Sequence, residues 1–412
     1  MIKRILYTLL IMFPVLASAQ INTDRVMAIG RNALYFEDYV LSIQYFNQVI
    51  NAKPYLSDPY FYRGLAKINL DDFQGAESDC SEAIERNPFV VSAYQVRGLA
   101  RIQQNNFAGA IEDYTKALEF DPENIGVWHN MALCRIRQED YKGAKNDLDK
   151  LIAISPRYTK AYLMRGEVDL KQEDTLAAEK DFGKAIEIDR YDADTWASRA
   201  ILRLQQQRYK DAEADFDHAI RLSTRNSGVY INRALARYHQ NNLRGAMSDY
   251  DIALDIDPNN FIGHYNRGLL RAQVGDDNRA IQDFNFVIEM EPDNMMAIFN
   301  RGLLLDQTGD YKGAIKDYST VINEYPNFLL GYQYRAQARR KIGDVKGADA
   351  DEFKVLKAQL DKQNGVDPNK QTADNTENNK TRKKSDKNMN NYRKIVVADN
   401  EEGEEKYKSD YR

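Results

Sequence analysis

Hydrophobic and polar positions along this chain repeat with a period of 34. An Ala followed three residues later by an Asp recurs nine times without a slip: Ala76/Asp79, Ala110/Asp113, Ala144/Asp147, Ala178/Asp181, Ala212/Asp215, Ala246/Asp249, Ala280/Asp283, Ala314/Asp317 and Ala348/Asp351. A fixed period of this length predicts a stack of similar units, each burying its apolar face against its neighbours. Starting each unit 22 residues before its Asp gives ten repeats: 23–56, 57–90, 91–124, 125–158, 159–192, 193–226, 227–260, 261–294, 295–328 and 329–362. Each predicts two helices. The first carries an aromatic at repeat position 4 (Tyr60, Tyr94, Trp128, Tyr162, Trp196, Tyr230 and Tyr332), with Val26, His264 and Ile298 as departures. Position 8 is always small, from Gly30 and Gly64 to Ala336, which lets a partner helix approach closely. A turn follows at positions 14–16. The second helix carries the recurring Ala at position 20. A Pro at position 32 closes most units, and Pro cannot continue a helix.

This combination resembles the tetratricopeptide repeat family over residues 23–362. The resemblance implies an all-α fold, a right-handed α-solenoid superhelix of ten helix-turn-helix repeats of 34 residues. In it the first helices line a concave groove and the second helices form the outside.

Position 7 departs from the family pattern. It is Arg in eight repeats, and only Ile29 and Met131 break the series. Position 11 is mostly basic as well: Lys67, Arg101, Arg135, Arg203, Arg237, Arg271 and Arg339. Positions 7 and 11 share one helix face, and the facing helix carries the Asp at position 23. The expectation is an internal ladder pairing Arg63, Arg97, Arg165, Arg199, Arg233, Arg267, Arg301 and Arg335 with Asp79, Asp113, Asp181, Asp215, Asp249, Asp283, Asp317 and Asp351. The alternative, a free basic strip for an anionic ligand, fits the matching number of carboxylates less well. The first and last repeats read as caps. Repeats 5 and 6 lack the closing Pro, having Arg190 and Thr224, so this middle region is the candidate for a softer joint.

Residues 1–19 read as a signal peptide. Lys3 and Arg4 precede the apolar stretch Ile5–Leu16, which is too short to span a bilayer, and Ala17-Ser18-Ala19 is a cleavage site. Gln20 rather than Cys follows, so the export signal is not of lipoprotein type. This predicts a periplasmic, secreted or surface-associated protein with no membrane insertion after cleavage. The mature protein retains two cysteines, Cys80 and Cys134, at different repeat positions, and both read as small buried hydrophobes rather than a bridge. Net charge is −5; without Lys3 and Arg4, and with eleven basic and ten acidic residues in the tail, about −8 remains on the repeats. That balance excludes a nucleic-acid-binding face. Residues 363–412 break the repeat. Their polar composition predicts a disordered tail with a short β-prone segment at 392–398, suited to pairing with a partner's backbone.

The four histidines stand in separate repeats without metal-ligand spacing, and no nucleophile elbow or phosphate loop stands out. Neither catalysis, a cofactor nor a metal is expected. Binding is expected on the first helices. Position 6 is Asn130, then Asn232, Asn266 and Asn300 in three consecutive repeats. An amide both donates and accepts, so it can pair with an extended peptide backbone in either direction. Some tetratricopeptide superhelices hold peptides with such an asparagine series, and the resemblance implies that role here. Tyr265, Phe299, His239, Gln273 and Gln307 are expected beside it. A carboxylate clamp is not expected, since position 2 holds Gly228, Ile262 and Met296 where a basic residue is needed. The reading is a scaffold of the bacterial cell envelope that binds a protein or extended peptide and supports assembly of an envelope or secretion complex. The alternatives are a carbohydrate-binding adaptor and a spacer whose tail carries the interaction.

Overall fold

A computed structural model of the chain describes residues 22–222, 225–363, 389, 393–395 and 398. The proposed signal peptide and most of the tail lie outside these residues. Among the described residues there are twenty α-helices and no strand. Repeat 1 is α1 (Thr23–Tyr35) and α2 (Tyr39–Ala52), and repeat 2 is α3 (Asp58–Ile68) and α4 (Phe73–Arg86). The series continues with α5 (Val91–Gln103), α6 (Phe107–Phe120), α7 (Ile125–Arg137), α8 (Tyr141–Ile154), α9 (Thr159–Lys171) and α10 (Thr175–Ile188). Repeats 6 to 8 are α11 (Ala193–Gln205), α12 (Tyr209–Arg221), α13 (Ser227–His239), α14 (Leu243–Ile256), α15 (Phe261–Gln273) and α16 (Asp277–Met290). Repeats 9 and 10 are α17 (Met295–Thr308), α18 (Tyr311–Glu324), α19 (Leu329–Lys341) and α20 (Val345–Gln363). The described residues divide into two compact units, with the boundary between Arg190 and Tyr191. Arg190 is one of the positions where the closing Pro is replaced.

Each helix pair is built by the same local chemistry. An Asp or Asn at position 16 caps the second helix in most repeats. Asp72, for example, accepts from the Gly75 N–H at 2.9 Å, satisfying a donor that the first helical turn leaves orphaned. The turn before it is left-handed at position 15 in every repeat. Seven of these residues are not glycine, from Glu37 at φ 63° to Asn241 at φ 61°, while Gly275, Gly309 and Gly343 hold the last three. A side chain costs about 1–2 kcal/mol in that region. Glu139→Gly is therefore expected to raise the unfolding free energy by about 0.5–1 kcal/mol, because relief of strain exceeds the added freedom of the unfolded chain. Gly275→Ala is expected to lower it by about 1 kcal/mol, although an added Cβ meets no atom within 4 Å. Urea denaturation measures both.

Inside the pair, position 8 packs against position 24. A Cβ on Gly98 would fall 2.7 Å from the Tyr114 ring, and one on Gly166 2.6 Å from Phe182. Tyr114 and Phe182 are fully buried, as are Phe216, Tyr250, Phe284 and Tyr318 at the same position of other repeats. The small residue thus makes room for an aromatic one that fills the pair's interior. The Ala at position 20 is fully buried from Ala76 to Ala348.

Position 4 ties neighbouring repeats together. Tyr60 and Tyr162 donate through their hydroxyls, and Trp128 through its indole N–H, to the carbonyls of Pro54, Pro156 and Pro122 at 3.3, 3.1 and 2.8 Å. His264 stands where the sequence loses its aromatic, yet its Nε2 lies 3.0 Å from the Pro258 carbonyl and its ring stacks on Phe286 at 4.0 Å. An imidazole serves there as the ring that holds the preceding repeat's closing turn. Cys80 and Cys134 are both buried and unbridged, and burial pushes the Cys134 thiol up to about 12.

The eight Arg–Asp pairs are all formed. Arg233 donates from Nε and Nη2 to Asp249 at 3.0 and 2.6 Å, and its Nη1 reaches Asp217 of the preceding repeat at 2.7 Å. Arg97, Arg267, Arg301 and Arg335 likewise reach back, to Ser81, Asp251, Asn285 and Ser319. The same guanidinium therefore joins its own helix pair and the repeat before it. A second cation from position 11 usually joins the Asp, as Arg237 does at 2.8 Å on Asp249. These Asp side chains are all nearly buried, so the ladder is internal and is not a free cationic surface.

Repeat 5 inverts one rung. Arg101 pairs with Glu77 and Arg237 with Glu213, each at the same two repeat positions. At the matching place Asp169, 1% exposed, pairs with Lys145. Asp169→Arg is expected to lose about 2–4 kcal/mol, since it sets two cations together where a buried pair stood. Adding Lys145→Glu is expected to restore stability to the wild-type level or above. The new Arg then has the same i+12 relation to Asp181 that Arg101 has to Asp113. Equilibrium unfolding of the three chains checks the order.

Candidate functional site: a groove on the first helices of repeats 7 to 9

Helices α13, α15 and α17 each bring position 6 to one face. Asn232, Asn266 and Asn300 stand there, 0%, 0% and 5% exposed. A buried amide needs partners for both its donor and its acceptor. Asn232 finds them on the tail. Its Nδ2 donates to the Ala398 carbonyl at 2.9 Å, and its Oδ1 accepts from the Ala398 N–H at 2.9 Å. One side chain thus satisfies both backbone groups of one residue, the main-chain donor and the main-chain acceptor together. Asn300 donates to the Met296 carbonyl of its own helix at 2.9 Å and approaches the Tyr265 hydroxyl at 3.4 Å.

Beside the amides lies a cavity of about 430 Å³. Gln273, Asn300 and Gln307 line it with polar groups, and Tyr238, Leu269, Leu303 and Leu304 with apolar ones. Arg393 and Ile395 of the tail complete its wall. Tyr238 donates to Gln273 Oε1 at 2.8 Å, and His239 stacks on Tyr209 with ring centroids 4.5 Å apart. Further along the same unit Ile395 joins a buried cluster with Ala200, Phe216, Val229 and Leu235. Ala398 is buried with Ile231, Ala234, Tyr250 and Leu270. Met389 joins the cluster of Tyr265 and Phe299.

Several expectations need correction here. Phe299 does not face the groove. It is fully buried, edge-on to Phe328 at 5.0 Å and Tyr334 at 5.9 Å, because position 5 packs against the following repeat. Tyr265, 4% exposed, is a packing residue within its own repeat, edge-on to Phe284 at 5.9 Å, and its hydroxyl meets Asn300 of the next. Asn130 is buried in α7 of the first compact unit and does not line this cavity. Three tail residues are buried where the composition predicts solvation: Met389, Ile395 and Ala398 are 5%, 9% and 3% exposed, and most of the tail lies outside the described residues. Tyr238 was missed. It stands at position 12, a groove position by helical spacing, but its series across the repeats is irregular.

A stack of 34-residue helix pairs presenting one face of buried amides beside a cavity defines a repeat scaffold for protein interaction. Family profiles described as tetratricopeptide repeat or TPR repeat match residues 98–134, 125–158, 159–192, 198–261 and 265–327, together more than half of the chain. The chain belongs to the tetratricopeptide repeat family. No curated protein sequence matches it. Among solved structures, a tetratricopeptide repeat protein from Parabacteroides merdae is 21% identical with a TM-score of 0.47, covering 60% of this chain and 98% of that one. The C-terminal part of a TPR repeat-containing protein from Cytophaga hutchinsonii is 18% identical with a TM-score of 0.48, covering 57% and 97%. YrrB, described as a TPR protein with an unusual peptide-binding site, is 21% identical with a TM-score of 0.38, covering 45% and 95%. These likenesses concern the fold. Among the described residues no helix is long and apolar enough to cross a membrane.

Proposed function

We propose that this chain is a non-catalytic scaffold that holds an extended protein segment along repeats 7 to 9. The observation that carries the reading is the reciprocal pairing of Asn232 with both backbone groups of Ala398. That contact recognises main chain and not side-chain identity, so it suits an extended peptide and gives a carbohydrate nothing specific. Affinity then comes from several modest contacts: amide pairing, the apolar walls at Leu269 and Leu303, and the polar ends of Gln273 and Gln307. With export through residues 1–19, the scaffold serves assembly of a complex in a bacterial cell envelope.

A photo-crosslinking amino acid in place of Gln273, an exposed residue on the cavity wall, tests this in cells. A discrete protein adduct is expected, lost when Asn232→Ala and Asn300→Ala are added. Adducts unchanged in that background overturn the reading, as does the absence of any protein adduct both here and in a chain whose tail carries Ala398→Arg. Recovery of the chain from the envelope fraction with Gln20 at its N-terminus is the expected result for export.

A further inference from the structure

The tail that fills this groove belongs to the same chain, and three separate contacts seat it. Asn232 clamps the Ala398 backbone. The Ala398 side chain, 3% exposed, belongs to the buried cluster that holds Ile231, Ala234 and Leu270. Three residues earlier, Ile395, 9% exposed, stands on the wall of the cavity that Leu269 and Leu303 also line. The pairing joins residues 166 positions apart and owes nothing to the repeat. Resting on the groove reading above, we propose that the C-terminal tail is a self-ligand that closes the groove, and that a partner enters by displacing it. The partner segment shares the tail's chemistry. It is an extended stretch with an aliphatic side chain three positions before a small one, and no large residue is accommodated at the second position.

The energetics follow from tethering. A ligand on the same chain acts at an effective concentration on the order of millimolar, so even a weak self-contact keeps the site mostly occupied. The apparent affinity for any incoming segment falls by the fraction of chains that are open.

The test uses the full chain and a fluorescent peptide of residues 389–400, read by anisotropy at sub-micromolar protein. Ala398→Arg in the chain's own tail puts a large charged side chain where a buried small one stood, and it leaves every repeat residue intact. The Ala398→Arg chain is expected to bind the peptide about tenfold or more tighter than wild type. Adding Asn232→Ala to it is expected to cost about tenfold or more. Equal binding by the wild-type and Ala398→Arg chains, or no binding by either, overturns the self-ligand. The Gln273 crosslink separates this from failure of the groove reading. A partner adduct that is equally strong in both chains rejects closure and leaves the groove reading standing, whereas no adduct in either rejects both.

Discussion

Asp215→Ala is expected to lower the unfolding free energy of the chain by about 3–5 kcal/mol. The carboxylate is 3% exposed and takes three charge-assisted hydrogen bonds. Arg199 donates to it from Nε and Nη2 at 2.8 and 2.9 Å, and Arg203 from Nη1 at 2.7 Å. Removing it takes from Arg199 and Arg203 the carboxylate that offsets the cost of their desolvation. The two partners are not equivalent to the Asp. Arg199→Ala leaves Arg203 on the carboxylate and is expected to lose only about 1–2 kcal/mol. Asp215→Ala with Arg199→Ala is expected to recover part of the single-variant loss, because one stranded cation goes with it. Asp215→Asn keeps the volume and removes the charge, so a loss close to that of Asp215→Ala assigns the effect to charge. Denaturant unfolding followed by circular dichroism measures all four chains. An Asp215→Ala chain within 0.5 kcal/mol of wild type rejects the ladder as a source of stability.

The repeat itself was legible because it is built from side chains with little freedom to vary: the position 20 Ala has no room for more, and eight of the nine position 23 Asp residues meet a guanidinium sixteen residues earlier. What was less legible depends on backbone geometry that several residues tolerate. Position 15 is left-handed throughout, but only Gly275, Gly309 and Gly343 announce it, since Glu, Asp, Asn and Gln accept the same conformation at some cost. The groove was half legible. Helical spacing put Asn232, Asn266 and Asn300 on one face, yet the same spacing placed Phe299 there. Spacing alone does not tell a residue facing solvent from one covered by the next repeat. The pairing of Asn232 with Ala398 had no periodic signal at all. The tail's short aliphatic run and the amide series each stood out, but nothing in the order of residues joined them.

Repeat 4 shows what the ladder costs when a rung is missing. Met131 replaces the position 7 Arg, and Asp147 keeps Arg135 alone. Burial then pushes the Asp147 carboxyl up to about 7, Asp140 nearby adds to the rise, and the single Arg135 does not offset them. One oxygen, Oδ2, is buried without a hydrogen-bond partner. The consequence for stability has a definite sign. In the unfolded chain this Asp loses its proton near the ordinary value of about 3.9; in the folded chain it keeps the proton until near 7. Between those values the folded state binds more protons, so raising the pH through that window lowers the unfolding free energy. A shift of this size corresponds to something on the order of 2–4 kcal/mol lost between pH 4 and pH 8. Asp147→Asn removes the titration and is expected to be more stable than wild type at pH 8 and close to it at pH 4. The other paired aspartates also contribute to the profile, so the quantity that isolates Asp147 is the difference between the two chains at each pH. Met131→Arg, which supplies the missing cation, is expected to flatten the same difference by drawing the carboxyl down. A difference between the wild-type and Asp147→Asn chains that is flat from pH 4 to 8 places Asp147 among the fully compensated rungs and rejects the strained one.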